Sequence, residues 1–305
     1  MNILITGGGG FIGTALAFYL KRQDHNVYLL DFKSKFQSQH KKNFTCITAD
    51  VRNYQSLKNL PNVDIVYHFA AQTSGAISQE QPELDVDTNI RGTLNICRFV
   101  RKAQVSKLIF SSSMAVYGDS SEPLAESSAL QPKSVYGCSK IAAETFIRSF
   151  SMYGFNYTIF RFFNVYGPGQ DMRNLRQGMA SIFMSQAISG KEIHVTGSLE
   201  RYRDFVYIDD VVSALAFALT GLDHGIYNVG SGIRTTVTEL IQEIFHVLGK
   251  NESGYKIINV GGHDGDQFGT VSDCRKLRTE SAWSPKVSLR DGLRAMSIYA
   301  KEILL

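Results

Sequence analysis

Cysteine is scarce and scattered: Cys46, Cys97, Cys138 and Cys274 lie far apart, with no CxxC pair and no Cys/His ligand spacing. That pattern argues against a zinc site and against a disulfide framework, and it suits free thiols in a reducing compartment. No metal is therefore expected. Blocks of like charge are missing too. The net charge of +4 is spread thinly along the chain, which disfavours nucleic acid as a partner. No stretch reaches the roughly 18 uncharged apolar residues that a membrane span requires. Residues 2–20 are largely apolar, but they lack a basic start and are broken by Gly7-Gly8-Gly9-Gly10. A buried strand entering a helix explains them better than a signal peptide. The expectation is a cytoplasmic protein without a membrane partner. Repeats, low-complexity tracts and long linkers are also absent. With 305 residues, 44% of them hydrophobic and 20% charged, the chain can build one large domain or two closely joined lobes.

What is present is an alternation. Short apolar runs at Asn2–Thr6, Val27–Leu30, Phe44–Thr48, Ile65–Phe69, Leu108–Ser111 and Thr158–Phe162 read as buried strands. Between them, Ile12–Lys21, Thr88–Lys102 and Tyr136–Tyr153 read as helices. Strands separated by helices imply a parallel sheet covered on both faces, so the fold class is α/β, a doubly wound parallel sheet of Rossmann type. After Asn164 the pattern changes. Gly167-Pro168-Gly169 marks a turn, and a helix follows near Gln177–Ile188. Asp204–Tyr207 and Ile226–Val229 read as strands around a helix at Asp209–Thr220, able to return to the sheet. Helices at Val237–Leu248 and Leu289–Ile303 would build a smaller C-terminal substrate-binding lobe. The expected division is 1–164 with 204–231 for the cofactor domain, and 165–203 with 232–305 for the substrate lobe. Ligands of open α/β sheets sit beyond the carboxyl ends of the strands, which puts the site between the lobes.

The sharpest local motif follows the first strand: Thr6-Gly7-Gly8-Gly9-Gly10-Phe11-Ile12-Gly13. Gly7 allows a tight turn, Gly10 lets backbone amides approach a pyrophosphate, and Gly13 lets helix pack on strand. The anion then rests on the positive end of the helix. Asp31 ends the second strand about 20 residues later, where a carboxylate accepts hydrogen bonds from the adenosine ribose hydroxyls and repels a 2′-phosphate. Lys33 and Lys35 follow closely and could bind that phosphate, but NAD is favoured over NADP.

Tyr136-Gly-Cys-Ser-Lys140 opens a helix, and a spacing of four puts Tyr136 and Lys140 on one face. A tyrosine must lose its proton to act as a base, and its ordinary pKa is about 10. A lysine ammonium at roughly 4 Å is worth about 4 kcal/mol at an effective dielectric near 20, or about three pH units. That would bring the phenol near neutrality, and an oxidised nicotinamide would add to the effect. Phe110-Ser111-Ser112-Ser113 ends a strand some two dozen residues earlier, so its hydroxyls would emerge at the same sheet edge. Turn chemistry is the plainer account of the serines, and a surface aromatic–lysine pair that of the helix motif. Together, behind a dinucleotide turn, they read as catalytic.

These residues resemble a known family. Thr6–Gly13, Asp50-Val51-Arg52, His68-Phe69-Ala70-Ala71, Asn89-Ile-Arg-Gly-Thr93, Ser111–Gly118, Tyr136–Lys140, Arg161-Phe-Phe-Asn164 and Arg203–Asp210 occur in the order seen in extended short-chain dehydrogenases/reductases. The chain most resembles the UDP-galactose 4-epimerase-like nucleotide-sugar enzymes. The resemblance implies that Gly7, Gly10, Phe11, Ile12, Gly13, Asp31, Asp50, Val51, Phe69, Ala70, Ala71, Asn89, Tyr136 and Lys140 bind NAD. Ser113, Tyr136 and Lys140 would be catalytic. Thr73, Ser113, Asn164, Arg203, His263, Asp266 and Thr270 would contact a UDP-linked nucleotide sugar. Paired helices 88–102 and 136–153 would form a homodimer interface. Asn164 could instead cap a turn, and Arg203 could pair with Asp204 or Asp209.

Two departures from the resemblance matter. Ser113-Met114-Ala115 stands where sugar 4,6-dehydratases resemble Thr-Asp-Glu, so no carboxylate pair is present to expel a hydroxyl as water. His263-Asp-Gly-Asp266 has histidine where an arginine is usual, and histidine cannot grip phosphate bidentately; Arg201, Arg203 or Arg234 could compensate. Thr270 stands where epimerases restricted to plain hexoses resemble a bulky tyrosine, which would leave room for a 2-acetamido group. The expected activity is an NAD-dependent nucleotide-sugar 4-epimerase. The rivals are a dehydratase or reductase of the same family and a non-catalytic dinucleotide-binding regulator.

Overall fold

The computed structural model describes residues 1–31, 35–190, 192–262 and 267–305. Its centre is a sheet of seven strands: Asn2–Thr6 (β1), Asn26–Asp31 (β2), Thr45–Thr48 (β3), Ile65–His68 (β4), Lys107–Ser113 (β5), Asn156–Phe162 (β6) and Gly225–Val229 (β7). The spatial order is β7-β6-β5-β4-β1-β2-β3, and every pairing is parallel. Successive side chains of a strand point to opposite faces, and here both faces are buried. Ile3, Ile5, Leu29, Tyr67, Ile109 and Phe160 belong to one core layer, while Leu4, Leu30, Val66, Leu108, Phe110 and Ile159 belong to the other. That double burial explains why the strands read as continuous apolar runs rather than alternating ones.

Helices cover the two layers. Leu16 and Leu20 of Phe11–Arg22 (α1) join the first core, as do Val211 and Leu215 of Ile208–Phe217. Ile96 and Val100 of Gly92–Lys102 (α2) join the second, with Ala143 and Ile147 of Val135–Ser151 (α3). Each such apolar side chain, fully buried, contributes about 1.5–3 kcal/mol. The helix expected from Thr88 is regular only from Gly92. Val86–Arg91 before it is a π-helical turn, the kind of local irregularity often found near functional sites.

The second half departs from expectation in one place. Gly225–Val229 does return to the central sheet beside β6, but Phe205–Tyr207 does not. It pairs in parallel with Asn164–Tyr166 in a separate two-stranded ladder. Further short ladders join Glu192–Val195 to Lys256–Asn259 and Tyr202–Arg203 to Thr235–Thr236. The strand order reverses direction at β1 and β4, whose carboxyl ends form the crevice where such sheets take ligands. Among the described residues no helix is long and apolar enough to cross a membrane, and no cluster of potential metal ligands occurs.

Candidate active site

A cavity of about 1450 Å³ opens above that crevice. The glycine turn forms its floor. Gly7 has a positive φ of 69°, and a Cβ there would meet the Ala70 amide nitrogen at 2.7 Å. A Cβ on Gly13 would lie 2.4 Å from the Gly7 carbonyl oxygen, so only glycine lets α1 start this close to β1. Gly10 caps α1 without a side-chain hydrogen bond, leaving the helix's first-turn amides and dipole directed into the cavity. These are the features a pyrophosphate requires, and the residues present fit a dinucleotide. Asp31 supports the turn by accepting from the Gly9 amide at 3.3 Å through Oδ2.

The other expected cofactor residues follow along the same wall. Phe11, Ile12, Asp50, Val51, Phe69, Ala70 and Ala71 all line the cavity. Arg52 forks onto Asp50, with Nε at 3.0 Å and Nη2 at 2.8 Å, and its hydrogen bonds hold that carboxyl below the usual range. The Ala70 amide donates to Thr6 Oγ1 at 3.2 Å, which ties the loop after β4 to the end of β1. Asn89 differs from expectation: it is buried outside the cavity lining. Its amide reaches the Gln72 carbonyl, Asp85 and Ser139, and its Oδ1 accepts from the Gln72 amide. Through these bonds it braces the wall of the site.

Ser113, Tyr136 and Lys140 converge at the cavity wall. Ser113 ends β5, and its hydroxyl lies beside the Tyr136 phenol and favours the ionised form. Ser134 caps α3, so Tyr136 occupies the first turn of the helix and Lys140 follows one turn later on the same side. The Lys140 ammonium donates to the Ser111 carbonyl oxygen at 2.8 Å and sits 4.8 Å from the Phe110 ring centre. The electrostatics correct the sequence expectation. Burial pushes the Tyr136 phenol up to about 12 rather than down, and burial lowers the Lys140 ammonium to about 8. Desolvation outweighs the attraction that spacing alone suggested.

At the far side, Thr73, Asn164 and Arg203 also face the cavity. Thr73 Oγ1 accepts from Gln177 Nε2 at 2.7 Å. Asn164 Nδ2 donates to the Asp204 carbonyl at 3.1 Å, consistent with a role in shaping the turn as well as the cavity. Arg203 is buried, with its guanidinium donating to the carbonyls of Tyr202, Gln267 and Phe268. Burial, with Arg201 nearby, lowers it to about 10, and such a desolvated cation suits an anionic ligand. Asp204 accepts from the amides of Ser231, Gly232 and Ser272, so its carboxylate is a tie between loops.

Thr270 lies behind the same region of the site. It is fully buried and lies outside the lining; its hydroxyl donates to Met114 Sδ at 2.9 Å. Met114, also approached by Asn164 Nδ2 at 3.7 Å, is the residue that forms the wall there. His263 and Asp266 lie outside the described residues, as does Lys33. Residues missed from sequence include Ser78 and Ser139, which bond the Tyr136 backbone, and Gln72 and Asp85, which hold Asn89. The spacing of Asp85 and Asn89, one helical turn apart, was the available signal.

Comparison with known proteins agrees with this geometry. The family model for the NAD dependent epimerase/dehydratase family matches residues 3–230. A relative from Methanocaldococcus jannaschii named putative UDP-glucose 4-epimerase is 33% identical, covering 98% of each chain. The structure of UDP-glucose 4-epimerase from Thermotoga maritima with UDP-glucose superposes with a TM-score of 0.94, at 33% identity over 100% of both chains. The Thermus thermophilus UDP-glucose 4-epimerase complex with NAD gives a TM-score of 0.92, at 31% identity over 99% of each. Other relatives of comparable similarity are decarboxylases and reductases.

Proposed function

The chain belongs to the NAD dependent epimerase/dehydratase family, and from that footing we propose that it is a nucleotide-sugar 4-epimerase. Its substrate in this reading is a UDP-hexose or UDP-N-acetylhexosamine, and the reaction runs through a transient 4-keto sugar. The observation that carries the reading is the make-up of one wall: Ser113, Tyr136 and Lys140 meet there beside Met114 and Ala115. Expelling a hydroxyl as water needs a proton donor next to it, and neither Met114 nor Ala115 can serve. An epimerase needs only the base and its supports.

In the mechanism, Tyr136 takes the proton from the sugar's 4-hydroxyl while Ser113 holds that hydroxyl by hydrogen bonding. Gly7, Gly10, Phe11 and Asp31 would hold NAD, which would supply a hydride acceptor at carbon 4 and, once reduced, a donor to the opposite face, with no net consumption. Lys140, fixed by the Ser111 carbonyl, supplies positive charge beside the phenol and the nicotinamide ribose. Arg203 and Asn164 would hold the nucleotide diphosphate, with Thr73 toward the sugar. The protein's contribution is placement and electrostatics. The same reading assigns residues 1–164 and 204–231 to the cofactor and 165–203 and 232–305 to the substrate. It further places the protein in the cytoplasm, as a homodimer through helices 88–102 and 136–153, in polysaccharide biosynthesis.

A proton NMR time course with UDP-glucose and UDP-N-acetylglucosamine tests it. Signals of the carbon-4 epimer, without added reductant, are expected. A 4-keto-6-deoxy product would move the assignment to a dehydratase, and silence with both sugars despite bound NAD would remove both substrates.

A further inference from the structure

Asp85 closes the short helix Pro82–Asp85, and it is wholly removed from solvent. Its Oδ1 accepts from Gln72 Nε2 at 2.9 Å and from Asn89 Nδ2 at 3.0 Å; Oδ2 has no partner at full hydrogen-bond geometry among the described residues, although the Ser78 hydroxyl favours the charged form. A buried carboxylate is costly unless a cation faces it. Burial raises the Asp85 carboxyl above its ordinary range, and the hydrogen bonds of Ser78 and Gln72 and the attraction of the Lys140 ammonium oppose that rise. The same carboxylate opposes ionisation of the Tyr136 phenol.

Asp85 also reaches Tyr136 through a chain of contacts. Asn89 Nδ2 donates to Ser139 Oγ at 2.9 Å, and Ser139 Oγ donates to the Tyr136 carbonyl at 2.8 Å. On the other side, the Tyr136 amide donates to Ser78 Oγ at 2.9 Å. Ser139 from the helix itself, held by Asn89, and Ser78 from outside it thus grip both backbone polar groups of the residue that must act as base.

We propose that Asp85 is a positioning residue that also sets charge: its buried carboxylate holds Asn89, fixes the Tyr136 backbone through Asn89 and Ser139, and is the anion that the network sets against Lys140. The proposal rests on the reading of Tyr136 as the base. Lys140 interacts with Asp85 from the turn 82–85, Glu144 and Tyr136 from its own helix, and His68 from β4. Glu144 is already engaged by Arg161, which leaves Asp85 as the carboxylate whose cation is Lys140. Removing the Asp85 charge takes away one of two anions that favour protonated Lys140. It also takes away the anion that disfavours the phenolate. Both titrations therefore move to lower pH.

The test is a pH titration of ring-labelled tyrosine by NMR on the NAD-bound protein, with Tyr136→Phe identifying the Tyr136 resonance among the 14 tyrosines. Asp85→Asn, which keeps an acceptor at Oδ1, should ionise Tyr136 at lower pH, and Asp85→Ala should shift it the same way. Asp85→Glu, which retains the charge, should stay near the wild-type midpoint. The kcat–pH profile of Asp85→Asn should lose its alkaline limb at lower pH. An unmoved Tyr136 midpoint in Asp85→Asn overturns the proposal, as does a kcat lowered equally at every pH. Failure of the parent reading looks different, because Tyr136→Phe would then still turn over substrate.

Discussion

The Lys140 ammonium lies 5.7 Å from the centre of the Tyr136 ring and is anchored to the strand end at Ser111 rather than paired with the phenol. Burial dominates both groups, raising Tyr136 and lowering Lys140. Against burial, the Ser113 hydroxyl favours the phenolate, and the positive charge of an oxidised nicotinamide would act in the same direction.

Tyr136→Phe should retain NAD and lose turnover by about 10²–10⁴-fold, the usual worth of a positioned base. The ring stays in place in this variant and only the ionisable oxygen is lost. Assaying epimer formation alongside bound NAD separates the two effects. Turnover at the wild-type rate would remove Tyr136 from the chemistry.

The parts of this site that sequence makes legible are those set by local rules. Gly7, Gly10 and Gly13 sit where a strand must turn into a helix at short range, and Tyr136 and Lys140 sit one helical turn apart. Asp31 appears at the end of a strand whose apolar run is itself visible. What escaped depends on distant packing. Nothing in the spacing of Thr270 tells that its hydroxyl meets Met114. Asn89 is recognisable as a motif residue, but its partners Gln72, Asp85 and Ser139 come together only through the π-turn and the helix behind it. Strands of two to four residues, such as Tyr202–Arg203, owe their pairing to neighbours rather than to their own pattern.

His68 should make the protein sensitive to acid. Thr93 Oγ1 donates to the Asn89 carbonyl at 2.6 Å, so it accepts from His68 Nε2 at 3.0 Å. His68 Nδ1 then accepts from Thr6 Oγ1 at 2.7 Å, and the imidazole is neutral. Burial, followed by the charge of Lys140, depresses its pKa from 6.5 to about 3. The unfolded chain therefore binds a proton below pH 6.5 that the folded chain refuses until about 3. Stability from this residue is complete above that window and falls as pH drops through it, by about 1.4 kcal/mol per pH unit. Urea denaturation across the window should show the slope, and His68→Asn should flatten it. Equal slopes in both proteins would mean that other groups carry the acid sensitivity.

Glu144 and Arg161 form a nearly solvent-free ion pair, with Nη2–Oε2 at 2.7 Å and Nε–Oε1 at 3.0 Å. Arg161→Met leaves the carboxylate buried without its cation, a defect worth about 3–5 kcal/mol. Replacing both, Arg161→Met with Glu144→Leu, should recover much of that loss because no orphan charge remains. Tyr117, which donates to Asn228 and accepts from Arg161 at 2.8 Å, keeps the recovery from being complete. Chemical denaturation of the two single variants and the double variant closes the cycle. A double variant no more stable than its worse parent would show that the surrounding polar contacts, not the charges, hold this layer.

The glycine turn offers a graded test, because its residues are glycine for unequal reasons. A Cβ on Gly13 would press on the Gly7 carbonyl at 2.4 Å and on Gly8 Cα at 3.0 Å, both backbone atoms that cannot step aside. The Gly7 carbonyl also accepts from the Gly10 amide at 3.0 Å, so moving it disturbs the turn itself. A Cβ on Gly10 meets nothing closer than 3.1 Å, again at the Gly7 carbonyl. Overpacking of the first kind costs about 1–3 kcal/mol and displaces the amides that face the pyrophosphate. Gly13→Ala should therefore weaken NAD by roughly tenfold or more, about 1.4 kcal/mol in binding. Gly10→Ala should fold almost normally, so any loss of NAD there reports crowding of the ligand rather than distortion of the turn. Calorimetric titration with NAD, beside a thermal melt of each variant, distinguishes the two. If Gly13→Ala bound NAD as well as the native chain, close packing of α1 on β1 would not be what shapes the cofactor cradle.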